Sequence, residues 1–207
     1  SLCLSTLYGF NSLGLMSHLP CRPYDTDRDG ISVGEGAGFV LIERSVPSDA
    51  ASKIFLLGIG ESSDAYHMST PHPEGLGAKL AMQRALASAG LQAKEIDYIN
   101  LHGTATKTND ASEGKTVADV FSDKVPCSST KGWTGHLLGA AGITEAIIAM
   151  LALKHGFIPG SVNTQQIDPA MAIDYRIENS NTKIHRVMSN SFGFGGSNCS
   201  LVLGKLA

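Results

Sequence analysis

An α/β fold, a mixed sheet covered by helices, is what the 207-residue sequence predicts, on three observations. From Lys53 onward, short apolar runs rich in β-branched residues alternate with segments whose apolar residues recur at helical spacing. Strands separated by helices of this length pair in parallel and are covered on both faces. Twice, at 29–43 and 187–204, the alternation gives way to strand, glycine-rich turn and strand, which adds antiparallel pairs.

The elements follow in order. "KIFLLGIG" (53–60) reads as a buried strand closed by Gly60, and "LGAKLAMQRALASAG" (76–90) as a helix with Gly90 as its C-cap. "IDYINLHG" (96–103) is a second buried strand. "NDASEGKTVADVF" (109–121) opens on cap-type Asn109 or Asp110 and gathers Val117, Val120 and Phe121 on one side. "VPCSST" (125–130) is a short third strand, and "AAGITEAIIAMLALKHG" (140–156) a largely buried helix ending in glycine. "DGISVGEGAGFVLIE" (29–43) and "VMSNSFGFGGSNCSLVLG" (187–204) read as hairpins that each end a unit. Two such endings suggest two repeats of one plan: residues 1–50 as the tail of an earlier half, residues 51–207 as a whole βαβαβαββ half.

Composition excludes several classes. Hydrophobic residues make up 43% and charged ones 17%, the balance of a soluble globular chain. A net charge of −3 with no Lys/Arg run offers no footprint for nucleic acid. No apolar stretch reads as a membrane span. Cys3, Cys21, Cys127 and Cys199 are scattered, which points to a reducing, cytoplasmic setting. The opening "SLCLSTLYGF" lacks an initiator Met and a signal-type start, and reads as a fragment or a processed chain. "DTDRDG" (25–30) imitates an EF-hand loop, but Glu35 comes one place early, so an acidic turn leading into a strand is expected. His67 and His72 lack a third metal ligand, and no metal or bound cofactor is expected.

Chemistry concentrates at two strand ends. "NLHGTAT" (100–106) places His102 at the carboxyl end of a strand, followed by Thr104 and Thr106, and that end of a parallel sheet is where ligands bind. "SSTKGWTGH" (128–136) brings Lys131 and His136 to the same edge. Two imidazoles donating toward one point suit a developing oxyanion, and a nearby ammonium adds positive potential and holds one ring. Glu145 falls inside an apolar helix, where a carboxylate needs a partner; Lys131 is the candidate. The small residues Ser128, Ser129, Gly132, Gly135 and Gly139 read as space cleared for a ligand's approach.

"HGTAT", "SSTKGWTGHLLGAAG" and "NSFGFGGSN", in this order, resemble the C-terminal half of a β-ketoacyl-acyl carrier protein synthase of the elongating type II, in the thiolase superfamily. "RPYDTDRDGISVGEGAGFVLIE" and "SSDAYHMSTP" match that family too, so the likeness covers essentially the whole chain. It implies a thiolase-like fold, the C-terminal half plus the tail of the N-terminal half. It also implies an acyltransferase performing decarboxylative Claisen condensation of an acyl thioester with malonyl-acyl carrier protein, in fatty acid or related polyketide and polyene biosynthesis. By resemblance, His102 and His136 stabilise the enolate, Lys131 supports them and Glu145 is its buried acid partner. Thr104 and Thr106 match threonines that bind the phosphopantetheine arm. Phe194, with Gly193 and Gly195, matches a gating turn whose Phe N–H completes an oxyanion hole, and Asp64 matches a loop moving with that gate.

The implied partners are acyl carrier protein, the N-terminal half, and a second subunit in a homodimer or ketosynthase heterodimer; no cofactor is implied beyond the carrier's phosphopantetheine. The family's nucleophile is a cysteine in a T-A-C-S-type elbow of the N-terminal half, and none of the four cysteines here has that context. A non-catalytic, chain-length-factor-like subunit is the alternative, although it has no chemical need of both histidines and the lysine. A degradative thiolase would need a basic cysteine near the C-terminus, and "FGGSNCSLVL" around Cys199 reads instead as turn and strand.

Overall fold

The computed structural model describes residues 2–44, 53–122 and 124–205; the expected boundary at 50/51 lies outside the described residues. A helix with no buried residue, α1 (Leu4–Ser12), comes first. There follow β1 (Phe55–Ser63), α2 (Leu76–Ala89), β2 (Tyr98–Asn100), α3 (Lys107–Phe121) and β3 (Pro126–Ser128). A single turn, α4 (Lys131–Thr134), leads to α5 (Ala141–His155) and the short strands β4 (Phe157–Ile158), β5 (Asp174–Tyr175) and β6 (Ser180–Asn181). The hairpin β7 (Arg186–Phe192) and β8 (Ser197–Gly204) closes the described chain. The long elements follow the expected βαβαβαββ order.

The main sheet runs β1-β8-β7-β2-β3-β5. β7, β2, β3 and β5 are parallel, while β8 lies antiparallel between β7 and β1, so the sheet is mixed. Strand alternation divides the core between two faces. Ile99, Met188 and Val202 point to the side of α2 and α3, packing with Met82, Val117 and Phe121. Their neighbours Tyr98, Val187 and Leu203 point to the side of α5, packing with Ala149, Ala152 and Leu153.

Several local expectations change. Residues 29–43 form no hairpin; Ile31 and Val33 make isolated parallel bridges to Met16 and His136, and Phe39 and Leu41 are 93% and 86% exposed. Alternating apolar residues express strand preference, but a ladder needs a partner strand, and the described residues offer none there. β1 is an edge strand, and within it only Gly58 and Gly60 are buried. The N-cap of α3 is Thr106, whose hydroxyl accepts the Asn109 N–H; Asp110 is drawn inside instead, accepting the Tyr24 N–H at 2.8 Å and facing Arg28. Residues 138–155 are long and apolar enough by length and composition to cross a membrane, contrary to expectation. The alanine face of that stretch packs on the sheet and it carries buried Glu145, the pattern of a core helix.

The acidic turn at 25–30 serves as a staple. Asp25 accepts the N–H groups of Asp27, Gln165 and Gln166, and Arg28 pairs with Asp168, which ties this turn to the 164–168 segment.

Gly60 lets α2 lie directly on β1: a Cβ there would come 1.9 Å from the carbonyl oxygen of Ala81. Gly60→Ala is therefore expected to push α2 off the sheet and destabilise the fold by about 1–3 kcal/mol. In urea denaturation the midpoint should fall at constant slope; an unchanged midpoint would contradict this packing.

Candidate active site

Parallel pairing places the site. β2, β3 and β7 run in one direction, so their carboxyl ends open on one edge. His102 follows β2, Lys131 follows β3, and β7 leads through Phe192 into the turn at 193–196. His136 reaches the same place after α4, its N–H bonded to Ser32 O at 2.7 Å.

Lys131 is 1% exposed. Its ammonium donates to Glu145 Oε1 on α5 and to the His102 carbonyl oxygen, and lies 3.4 Å from His102 Nδ1. His136 Nδ1 accepts the Leu138 N–H at 3.1 Å. The two imidazoles meet edge to face, with centroids 5.4 Å apart and planes at 85°. Burial disfavours the imidazolium of His102 and Lys131 repels it, so its pKa falls well below the usual range. The same two causes take His136 down to about 3. Burial pushes the Glu145 carboxyl up, against the pull of Lys131.

His102 and His136 line a cavity of about 770 Å³, together with Thr104, Thr106, Asp64 and Phe194. Thr104 and Thr106 share a hydroxyl–hydroxyl bond of 2.9 Å. Asp64 accepts the His72 N–H and the Asn198 side-chain amide, and its own N–H donates to Gly196 O. The Gly195 N–H donates to Met68 O at 2.8 Å, so the 64–72 loop and the glycine turn are tied at two points. With Gly193, Gly195 and Gly196 N–H groups taken by Ser197, Met68 and Gly193 carbonyls, the turn's remaining N–H is that of Phe194.

No thiol here is primed as a nucleophile. Burial raises the pKa of Cys21, Cys127 and Cys199, and the Cys21 thiol donates to Lys131 O. Cys199 lines the cavity from β8. Cys3, whose pKa is lowered by its bond to Thr6, lies at the start of α1 and is absent from the cavity wall. Among the described residues no group of three His, Cys, Asp or Glu side chains could hold a metal ion.

The small residues divide in use. Gly139 lines the cavity, whereas Gly132 makes room for the backbone at 162, with a Cβ there 2.3 Å from Val162 O. Ser128 and Ser129 donate to Pro159 O and Gly103 O. Clearance for a ligand thus explains only part of that stretch; close chain crossing explains the rest.

Two residues escaped the sequence reading. Phe10 of α1 lines the cavity and stacks on Phe194, centroids 5.8 Å apart. Glu113 on α3 binds the backbone of His102. Its signal was present: Asp110, Glu113, Val117 and Phe121 form one helical stripe, and all four are buried.

Comparisons with known proteins identify the family. The profile of the β-ketoacyl synthase C-terminal domain matches residues 55–165, and that of the N-terminal domain matches residues 1–47. The chain is 43% identical over 195 residues to the mitochondrial 3-oxoacyl-[acyl-carrier-protein] synthase of Arabidopsis thaliana, covering 89% of this chain and 42% of that protein. It is 41% identical over 192 residues to 3-oxoacyl-[acyl-carrier-protein] synthase 2 of Coxiella burnetii, covering 89% and 46%. A chain of the solved complex between a ketosynthase and its chain length factor from Xenorhabdus doucetiae superposes with TM-score 0.87 at 42% identity, covering 100% of this chain and 51% of that one. A β-ketoacyl synthase from Burkholderia phymatum superposes with TM-score 0.89 at 33% identity, covering 100% and 53%. The chain spans less than half the length of these two curated relatives. With matching profiles, fold and relatives, the chain belongs to the β-ketoacyl-acyl carrier protein synthase family of the thiolase superfamily.

Proposed function

We propose that this chain carries the decarboxylation half of a β-ketoacyl-acyl carrier protein synthase, the half that generates the carbon nucleophile from malonyl-acyl carrier protein. One observation carries the reading: each imidazole has a nitrogen donor group facing its Nδ1. Lys131 Nζ faces it in His102, and the Leu138 N–H bonds it in His136. A neutral imidazole with Nδ1 accepting keeps its proton on Nε2, so each ring is a fixed N–H donor on the cavity wall.

In the reaction, the bond between the malonyl α-carbon and its carboxylate breaks and carbon dioxide leaves. The electron pair moves onto the thioester oxygen, where His102 and His136 Nε2–H groups stabilise the enolate. The enolate carbon then attacks an acyl thioester held on a cysteine of the N-terminal half, and that cysteine leaves as thiolate. The Phe194 N–H stabilises the acyl oxyanion, and Thr104 and Thr106 receive the phosphopantetheine arm. The tie between the Asp64 loop and the 193–196 turn supports their moving together as a gate. Residues 1–50 close the N-terminal half and the rest forms the C-terminal half. Acyl carrier protein, the N-terminal half and a second subunit are the partners; free thiols at Cys3, Cys21, Cys127 and Cys199 suit a reducing compartment. The intact trio separates this reading from a chain-length-factor-like subunit.

In the complete synthase, His102→Ala and His136→Ala should each lower malonyl decarboxylation on the order of 100- to 1,000-fold while the cysteine still accepts acyl groups. A variant that lost acylation alone would reverse the assignment. Residues 1–207 without the N-terminal half should show no condensation of acyl and malonyl carrier proteins, and turnover by the purified chain would refute the division between halves.

The imidazoles also predict a pH response. Their folded pKa values lie below the ordinary 6.5, so on acidification the unfolded chain takes up protons that the folded state refuses. Their contribution to stability is complete above about pH 6.5 and is lost as the pH falls toward 3. ¹⁵N spectra should show the Nε2–H tautomer of both rings from pH 8 down to about 5. An imidazolium signal in that range would contradict the donor roles.

A further inference from the structure

The register of the sheet sets four polar side chains in one row. Ser191 of β7 pairs with Cys199 of β8, and Cys199 faces Glu61 of β1. On the other side Asn100 of β2 stands beside Ser189, and carrying that parallel register two residues on brings His102 beside Ser191. All four point to the α5 side of the sheet. Tyr98, Val187, Leu201 and Leu203 pack there, at even spacing from His102, Ser191 and Cys199. In β1 it is Gly58 and Gly60 that face α2, where a Cβ would strike Ala85 and Ala81, so Glu61 faces away from that helix. Imidazole, hydroxyl, thiol and carboxylate thus follow one another at about 4.8 Å per strand, which puts Glu61 about 14 Å from the line of β2.

All four line the same cavity. α5 begins beside Ser191, where a Cβ on Gly142 would lie 3.0 Å from the hydroxyl oxygen, and the cavity runs on past Cys199 to Glu61. Phe10, Leu15, Phe192 and Phe194 give it apolar walls. The Glu61 carbonyl oxygen accepts a hydrogen bond from Arg84 Nη1 at 2.6 Å, but its carboxylate makes no hydrogen bond or ion pair among the described residues. The charge is felt inside the cavity: burial first, and then Glu61, raise the pKa of the Cys199 thiol. The carboxylate therefore stands at the far end of the cavity with its acceptor capacity unused.

We propose that Glu61 is a specificity-determining residue, which selects acyl groups carrying a hydrogen-bond donor, a hydroxyl above all, at the end remote from the thioester. The inference rests on the functional reading above. There the Phe194 N–H receives the acyl oxyanion, and Thr104 and Thr106 receive the phosphopantetheine arm. The space left for the acyl chain is the β8–β1 side of the cavity, which flanks the 193–196 turn and ends at Glu61. A hydroxyl arriving there meets a charged acceptor. A saturated chain of the same length strips water from the carboxylate and offers nothing in exchange.

Acylation of the nucleophilic cysteine in the complete synthase tests this, using acyl carrier proteins loaded with chains of equal length that end in a hydroxyl or in a methyl group. Once the chain is long enough to reach Glu61, kcat/KM should favour the hydroxyl on the order of 10- to 100-fold. Glu61→Leu should bring that ratio to unity or below, lowering the value for the hydroxyl-ended chain and raising that for the methyl-ended one. Glu61→Gln, whose amide oxygen still accepts, should keep part of the preference. A carboxylate with a merely structural role would change both substrates alike and leave the ratio in place. An unchanged ratio in Glu61→Leu overturns the proposal, and so does an unsubstituted enzyme with no preference at any length. If Glu61→Leu does not fold, Glu61→Gln decides: its ratio must fall, and a ratio equal to that of the unsubstituted enzyme sinks the idea. An unsubstituted enzyme that accepts neither kind of chain defeats the functional reading and this proposal together, whereas equal acylation by both kinds defeats the proposal alone.

Discussion

The ammonium of Lys131, taken almost wholly out of water, sets the terms on which the surrounding chain folds. Burying such a charge costs several kcal/mol unless opposite charge and acceptors meet it with good geometry. Here they come from different elements: Glu145 from α5 and the His102 carbonyl from the end of β2. Satisfying one charge therefore fixes how closely α5 approaches the sheet edge and how β2 ends relative to β3. The β2–β3 ladder is short, with Ile99 opposite Cys127 and Asn100 opposite Ser128. The lysine adds a third, charge-assisted link exactly where that ladder stops being regular, which is why the loop bearing His102 is held beyond the last strand residue.

The same ammonium governs what faces the cavity. Lys131 is not on the cavity wall, whereas both imidazoles are. Positive potential is thus felt through neutral donors, with the cation placed behind them. For the proposed reaction this order has a chemical consequence. An exposed lysine would pair with the malonyl carboxylate and oppose its loss as neutral carbon dioxide. Neutral N–H donors favour charge that develops on the thioester oxygen and make no strong ion pair with the starting acid.

Periodicity made the long elements legible. α2 and α5 end at Gly90 and Gly156 as expected, and the second hairpin stands where its glycine turn placed it. The convergence of His102, Lys131 and His136 was legible for a related reason: parallel strands open at a common edge. The hairpin expected at 29–43 does not form, because alternation records a preference for extended backbone, while pairing depends on a strand elsewhere. The cap of α3 was not legible. Asn109 and Asp110 are good capping residues, but tertiary partners claimed Asp110, and Thr106 took the cap. Phe10 carried no local signal, since its role exists only where α1 meets the turn at Phe194.

Glu113 and Glu145 show how the layers of the fold enter the chemistry. α3 lies on one face of the sheet and α5 on the other. α5 is apolar where it packs, α3 buries a largely polar first half ahead of Val117 and Phe121, and each helix carries a buried glutamate toward the sheet edge. Glu113 takes the N–H side of the His102 peptide region, and Glu145 holds the lysine that binds its carbonyl side. The imidazole is therefore gripped between the two helical layers through the strand end that separates them. Two carboxylates at such depth are costly to desolvate, and a core of this size has no need of them for packing alone. Their common target is one histidine, whose orientation a three-residue strand could not define by itself.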